Sequence, residues 1–298
     1  MTARSSILCP IDFSDASAGA LRYAAALAGP FGARLVVLTV EDPLLTEAVD
    51  LGTGVGWKPD DTRRELAQFT TKLFNAGSPP PDAIEYEVAV GRPAQEILRV
   101  SRDLACDLIV ISTHGLTGVR KLFFGSTTER VLRETSKPVL VTPPHDPGPL
   151  RLDDAKRLIR RALVPVDLTS GSLHQVHAAR DVCEALDLPL ILVSVVEPLK
   201  TRLAARLNLA GVEADRRAVA EDGLNELLAT LPRSLHAEAL VAYGDAAEEV
   251  AKVARDRQAG LMIMGLQSSP QLGPRMGSVT YRVLCLTSAL VLAVPPTH

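Results

Sequence analysis

The sequence has few aromatic residues, few cysteines and no excess of positive charge, and each shortage excludes a class of protein. Aromatic residues make up 4% of the 298 positions, so the core must consist mainly of Val, Leu, Ile and Ala. The net charge of −3 provides no basic surface to displace counterions from a nucleic acid, and we predict no nucleic-acid partner. The four cysteines form no C-x-x-C pair, which argues against a disulfide framework and fits a reduced, cytoplasmic compartment.

Long apolar runs and several well-known motifs are missing as well. No apolar run reaches the ~20 residues that span a bilayer, and the first one is too short for a signal peptide, so we predict no membrane contact. There is no G-x-x-x-x-G-K-[ST] sequence and no G-x-G-x-x-G after the first strand, which excludes the P-loop and dinucleotide-binding classes. A G-x-S-x-G elbow is absent too, so Ser126 is a poor candidate for a hydrolase nucleophile.

What the sequence does contain is one series of short apolar runs and helical patterns, present twice. The first strands end alike, in P-I-D-F-S from Pro10 and in P-V-D-L-T from Pro165. The second strands end in Val-Glu, which aligns Val40 with Val196. The chain is long enough for two cores, and strands that alternate with helices indicate βαβ units and a parallel sheet.

Local signals place several of these elements. Ser14 is the predicted N-cap of the first helix, and Gly29 stops that helix. The alternation from Ile84 to Val90 predicts an edge strand. Pro93 suits the first turn of the helix that follows.

We therefore predict an α/β protein of two tandem doubly wound domains, each a five-stranded parallel sheet of order 3-2-1-4-5 with helices on both faces. The predicted boundaries are 1–145 for the first domain, 146–158 for a linker and 159–298 for the second domain. The proline-rich stretch 143–149 cannot continue either flanking element, and it marks the start of the connection.

The loop S-T-H-G-L-T-G-V-R-K-L-F-F-G-S, from Ser112 to Ser126, has the chemistry to bind phosphate. Glycine lets oxygens approach the backbone, and a helix N-terminus supplies unpaired N–H groups and the positive end of a dipole. Gly115 lies in the loop, and Gly125 precedes the next helix. These glycines alone are also typical of a generic loop, and Ser126 to Glu129 fits a capping box, so Ser126 could cap the helix instead.

The position of the loop favours the ligand-binding interpretation. Asp12 ends the first strand and Ser112 ends the fourth, and those strands flank the reversal in a 3-2-1-4-5 sheet. Ligands of doubly wound sheets bind beyond the carboxyl ends of the strands at such a reversal. The sequence therefore predicts a ligand between Asp12 and the loop.

The end of the first strand and the loop from Ser112 to Ser126 resemble the corresponding sequences of the universal stress protein family. Its ATP-binding members carry G-x-x-G, nine residues and then G-[S/T], and here Ser112 replaces the first glycine. The resemblance covers nearly the whole chain, as two domains in tandem, and implies an adenine nucleotide α-hydrolase-like fold. It rests on Pro10, Ile11 and Asp12 together with Ser112 to Gly115 and the pair Gly125-Ser126.

The resemblance also implies which residues bind the nucleotide. Asp12 would contact the adenosine end, and Val40 would line the adenine pocket, although core packing also explains Val40 and Ile111. A local hydrogen bond is an equal alternative for His114. The complete predicted site is Pro10, Ile11, Asp12, Val40, Ile111, Ser112, His114, Gly115, Gly125, Ser126 and Thr127.

The function implied is that of a stress-response regulator that binds ATP, with Mg²⁺ or Mn²⁺ bridging the phosphates and with slow hydrolysis at most. A nucleotide-hydrolysing or adenylyl-transferring enzyme and a nucleotide-free interaction scaffold are the alternatives. The resemblance further implies that the closing strands at 139–141 and 290–294 pair within one chain. A homodimer and the identity of a protein partner are left open.

The second copy departs from the motif. Ser268 stands where the second glycine belongs, and Pro270 and Pro274 remove two backbone donors. We therefore predict that the second domain binds nucleotide weakly or not at all. His174 and His177 are three residues apart, but with no third ligand nearby a surface helix is favoured over a metal site.

Overall fold

The computed structural model describes seven stretches of the chain, and two predicted site residues, His114 and Gly115, lie outside them. Within these stretches no helix is both long enough and apolar enough to cross a bilayer. The described residues are 5–44, 46–47, 57–75, 83–113, 125–199, 210–269 and 273–296.

The chain divides into two compact units, Met1–Ala155 with Ser269–Arg275, and Lys156–Ser268 with Met276–His298. The first unit contains a run of alternating strands and helices. In chain order they are β1 (Ser6–Pro10), α1 (Asp15–Ala28), β2 (Arg34–Glu41), α2 (Pro59–Asn75), β3 (Ile84–Val90), α3 (Pro93–Asp103), β4 (Leu108–Ser112), α4 (Ser126–Glu134) and β5 (Val139–Thr142).

The same alternation is present in the second half of the chain, with two short extra strands before the last helix. In chain order the elements are α5 (Leu152–Ile159), β6 (Ala162–Pro165), α6 (Ser172–Leu186), β7 (Leu190–Val196), α7 (Ala210–Ala229), β8 (Ala237–Tyr243), α8 (Ala246–Asp256), β9 (Leu261–Gly265), β10 (Gln267–Ser269), β11 (Gly273–Arg275), α9 (Ser278–Leu286) and β12 (Leu290–Val294).

Both units confirm the predicted fold class and strand order. The first runs β3-β2-β1-β4-β5 and the second β8-β7-β6-β9-β12, which is 3-2-1-4-5 in each case. The strand pairs within each unit are parallel. Most residues of β1, β2, β6 and β7 are buried, as expected for strands covered by helices on both faces. The predicted edge strand is β3, which lies at the end of its sheet.

The local predictions for α1 and α3 are confirmed. The Ser14 hydroxyl accepts a hydrogen bond from the Ser17 N–H at 3.2 Å, which satisfies one of the amides that a helix start leaves unpaired. Alanine fills most of the buried face of α1, and Gly29 is its C-cap. Pro93 opens α3, where its missing N–H costs no helical hydrogen bond.

The strand register corrects one alignment between the two copies. Pro10 pairs with Leu38 on β2, and its counterpart Pro165 pairs with Val193 on β7. Val40, two residues after Leu38, therefore corresponds to Val195 and not to Val196. The Val-Glu dipeptide that suggested the other alignment is displaced by one residue along β7.

The chain after β5 is held against α1. A Cβ on Gly19 would lie 2.7 Å from the carbonyl oxygen of His145, so glycine is needed for this close approach. The Arg22 guanidinium is buried, with its Nε 2.7 Å from a carboxylate oxygen of Asp146. Most of α5 falls within residues 146–158, so the predicted linker contains a helix.

Replacing Gly19 with alanine should lower the free energy of unfolding of the first unit by about 2 kcal/mol, because the new methyl group collides with backbone that cannot rotate away. Urea unfolding followed by the fluorescence of Trp57, the single tryptophan of the chain, would measure this. Gly29→Ala is the control, because its Cβ would meet only the Ala25 oxygen at 3.8 Å. Equal midpoints for the two variants would contradict the prediction.

Candidate functional site

The crevice at the carboxyl ends of β1 and β4 opens because these strands separate early. Their register pairs Ile7 with Leu108 and Leu8 with Ile109, and no further pair follows along these two described strands. This is the point where strand order reverses, which is where ligands bind in doubly wound sheets. A cavity of about 230 Å³ lies here, lined by Pro10, Ile11, Asp12, Ser17, Leu38, Val40, Pro93, Ile97, Ile111, Ser112, Gly125, Ser126, Thr127 and Thr128.

The cavity brings together every predicted site residue that the structure describes. His114 and Gly115 belong to the part of the loop outside the described residues. The sequence-based prediction missed five lining residues, although periodicity and the predicted helix starts together could have found four of them. Leu38 is two residues before Val40 on the same face of a strand, and Ile97 is one helical turn after Pro93. Ser17 and Thr128 lie in the first turns of helices whose starts were predicted.

One side of the cavity is apolar. Leu38 and Val40 come from β2, Pro93 and Ile97 from α3, and Ile111 from β4. Leu38, Ile97 and Ile111 are each at most 6% exposed, so their positions are fixed by packing. Such a wall favours a flat or compact apolar group over a charged one.

Asp12 begins the polar side and is held in place by the turn after β1. One of its carboxylate oxygens accepts hydrogen bonds from the Ser14 hydroxyl at 2.6 Å and the Ser14 N–H at 3.2 Å. Phe13, between them, adopts a left-handed backbone with a φ of 62°, and its ring meets that of Phe69 edge-on with centroids 5.4 Å apart. The turn therefore fixes the carboxylate at the mouth of the crevice.

The start of α4 supplies the rest of the polar side, and the alternative in which Ser126 caps this helix is wrong. The N-cap is Gly125, which has no side chain to accept a hydrogen bond, and Ser126 is the first helical residue. Glu129 pairs instead with Arg133, one turn later, at 2.7 Å. The amides at the start of α4 are thus left without a side-chain cap, and this end of the helix faces the cavity.

Two hydrogen bonds fix the start of α4 against the end of β4. The Thr128 hydroxyl donates to the carbonyl of Ser112 at 2.7 Å, and the Gly125 N–H donates to the carbonyl of Thr113 at 2.8 Å. The two ends of the loop from Ser112 to Ser126 are therefore adjacent. An anion bound at the start of α4 would therefore lie close to both ends of this loop.

The lining residues determine what chemistry the cavity can perform. Asp12 is the only ionisable side chain among the lining residues that lie in the described stretches. In the described part of the chain, no group of three or more His, Cys, Asp and Glu side chains could hold a metal ion. His174 has a structural contact instead, with its Nε2 3.2 Å from the carbonyl oxygen of Pro295. The cavity is suited to binding a ligand with one apolar end and one anionic end.

The corresponding turn in the second unit repeats the geometry with different partners. One oxygen of Asp167 accepts hydrogen bonds from the Thr169 N–H, the Thr169 hydroxyl and the Ser172 hydroxyl, at 2.7 to 3.0 Å. Desolvation raises the pKa of Asp167, but these hydrogen bonds outweigh it and hold the pKa below its ordinary value. At the start of α8, the carboxylate of Asp245 accepts hydrogen bonds from the first backbone amides of the helix and also pairs with Arg282.

Comparison with known proteins identifies the same repeat. The model of the Universal stress protein family matches residues 4–143 and again residues 158–295. The chain is 32% identical over 143 residues to the universal stress protein YxiE of Bacillus subtilis, which covers 45% of this chain and 96% of that protein. It is 28% identical over 149 residues to the universal stress protein MJ0577 of Methanocaldococcus jannaschii, covering 45% and 92%.

A solved structure matches the fold over nearly the full length. The crystal structure of a universal stress protein from Archaeoglobus fulgidus superimposes with a TM-score of 0.62, at 19% identity, over 97% of this chain and 98% of that one. At this identity the likeness concerns the fold.

Proposed function

Because the chain belongs to the universal stress protein family, with one domain of that family in each half, we propose that its first domain binds ATP and that nucleotide occupancy regulates a stress response. The observation that carries the proposal is the cavity at the β1–β4 crevice. Its described lining consists of an apolar wall, the carboxylate of Asp12 and the start of α4, which has no side-chain cap. Those three surfaces match the base, the phosphates and the ribose of a nucleotide.

Each part of the nucleotide has a suitable surface in this proposal. The adenine ring lies between Val40 and Ile97, the ribose hydroxyls donate to Asp12, and the phosphates meet the amides of Ser126 and Thr127. An anion at a helix start gains from both the free N–H groups and the dipole. Gly115, by its place in the motif, completes the phosphate loop, and Mg²⁺ or Mn²⁺ arrives bridging the phosphates.

Regulation fits the lining better than rapid catalysis does. Among the lining residues that the structure describes, no side chain other than Asp12 could act as a general base, and Asp12 already accepts two hydrogen bonds from Ser14. Hydrolysis is therefore slow in this proposal. The cytoplasmic location stays a prediction, and the pairing of two chains stays open.

Equilibrium titration of the full chain with ATP tests the proposal, and the second repeat supplies a matched control. Asp12→Ala should weaken ATP binding about tenfold or more, because a hydrogen bond to a charged group contributes about 1.5–3 kcal/mol. Asp167→Ala removes the same turn carboxylate from the other domain and should leave the affinity unchanged. Equal effects of the two substitutions would show that the ligand does not lie at Asp12.

Two further measurements separate the alternatives. Steady phosphate release that disappears in Asp12→Ala would favour a hydrolysing enzyme over a regulator. Acid extraction of the purified protein, followed by mass analysis, asks whether ATP is already bound. A chain that carries no nucleotide and binds none in titration would be the interaction scaffold.

A further inference from the structure

The second unit contains a buried amide at the place where the first unit has its crevice. Gln175, on α6, is 8% exposed. Its Nε2 donates to the carbonyl of Pro165 at 2.9 Å and to the carbonyl of Ile263 at 2.8 Å. Both N–H bonds of the amide are therefore used on main-chain oxygens.

These two carbonyls belong to the strands that separate at the reversal of strand order. β6 and β9 pair only at Ala162 with Leu261 and at Leu163 with Met262 among their described residues. Pro165 and Ile263 lie beyond the last pair, where the strands no longer bond to each other. The Gln175 amide thus bridges the gap that opens the crevice in a doubly wound sheet.

Glycine at position 265 leaves room for the amide. A Cβ on Gly265 would lie 3.0 Å from the Gln175 side-chain oxygen, which is tighter than ordinary contact. The residue at the corresponding place on β4 is Ser112. Counted from the shared Pro-x-Asp sequence, Gln175 itself corresponds to Ala20, which is fully buried and has no side-chain donor.

The serine one helical turn before each of these two positions also forms a different hydrogen bond in each unit. Ser17 lines the cavity of the first unit, and its hydroxyl donates to the Ser14 carbonyl at 3.0 Å. Its counterpart Ser172 donates to the carboxylate of Asp167 at 3.0 Å. In the second unit this hydroxyl and the carboxylate of the turn after β6 are therefore hydrogen-bonded to each other.

We propose that Gln175 keeps the crevice of the second domain closed to nucleotide, and that the small Ala20 leaves the first one open. Positions 20 and 175 then determine which domain of the pair binds. This rests on the proposed function, because it names the residue that restricts nucleotide to one of two related sites. Neither position touches the ligand, so each acts by shaping the gap between the two central strands.

Exchanging the two residues in the full chain tests the proposal, with ATP and adenosine as the probes and equilibrium dialysis as the measurement. The wild-type chain should bind one ATP. Ala20→Gln should weaken that binding at least about tenfold, because the inserted amide would tie β1 to β4. Gln175→Ala should add a second site for adenosine, which does not depend on the altered phosphate loop of the second domain.

Gln258→Ala is the control for loosening of the second unit, because Gln258 is exposed and bonds the Arg160 guanidinium at 2.6 Å. It should add no site. If Ala20→Gln does not fold, as judged by circular dichroism, the gain of a site in Gln175→Ala decides alone. A folded variant without its expected change, or a gain in Gln258→Ala as well, would overturn the proposal.

The wild-type result separates this inference from the proposed function. Two sites in the wild-type chain would overturn the role of Gln175 and leave ATP binding intact. No site in the wild-type chain would overturn ATP binding by the first domain. In that case, a site gained in Gln175→Ala would still support closure of the second crevice by Gln175. If Gln175→Ala gained no site either, that closure would be overturned too.

Discussion

Replacing Val40 with tryptophan should weaken ATP binding roughly a hundredfold, a loss of about 2.7 kcal/mol. Val40 lines the apolar side of a cavity of about 230 Å³, together with Leu38 and Ile97. Those two neighbours are almost fully buried and cannot move aside, so an indole ring would fill the space proposed for adenine. Isothermal titration of the full chain with ATP measures the change.

The corresponding substitution in the second domain is Val195→Trp, because the sheet register aligns Val195 with Val40. It should leave the affinity for ATP unchanged. Circular dichroism of both variants checks that the added ring does not unfold either domain. If Val40→Trp binds ATP as the wild-type chain does, the base does not lie against β2.

Replacing Gly260 with alanine should lower the free energy of unfolding of the second unit by about 3 kcal/mol, at the upper end of the cost of overpacking. A Cβ there would lie 2.5 Å from the carbonyl oxygen of Leu158 and 2.7 Å from the Cα of Ile159. Both are backbone atoms, so no side-chain rotation relieves the collision. The Gly260 N–H also donates to the Ile159 carbonyl at 2.8 Å, which holds the two segments together.

Gly211→Ala is the matched control in the same unit. A Cβ on Gly211 would meet nothing within 4 Å, and alanine is the better helix former in α7. Urea unfolding followed by far-ultraviolet circular dichroism should show an earlier transition for Gly260→Ala and an unchanged or later one for Gly211→Ala. Indistinguishable transitions would mean that the segment before β6 adjusts to the methyl group.

The fold could be predicted from the sequence because its signals are local and occur twice. Strands in a sheet covered on both faces are continuous apolar runs. The Pro-x-Asp sequence marks the ends of β1 and β6. The reversal between β1 and β4 then follows from strand order alone. That is why all the predicted site residues within the described structure line one cavity.

The parts that could not be predicted depend on contacts between distant segments. The Ser126–Glu129 sequence fits a capping box, but Glu129 forms an ion pair with Arg133 and the helix begins one residue earlier than the box requires. Gln175 gave no sequence signal, since a glutamine in a helix is ordinary and its partners Pro165 and Ile263 lie on two other elements. Only the packed structure shows the amide in the gap.

The left-handed residue after the aspartate has a counterpart in the second half. Leu168, which follows Asp167, has a φ of 59°, close to the 62° of Phe13. Such a conformation costs of order 1–3 kcal/mol for a residue with a side chain, and it persists only where the surroundings enforce it. Both halves bear this cost, yet by our proposal only one of them holds a ligand.

By that proposal the shared conformation belongs to the fold rather than to the ligand. The two halves have the same backbone at the turn and differ in the side chains behind it, Ala20 and Gln175. An inherited framework of this kind lets one copy lose binding without losing its shape. By our proposal, the second copy is then free to acquire a different role without having to fold anew.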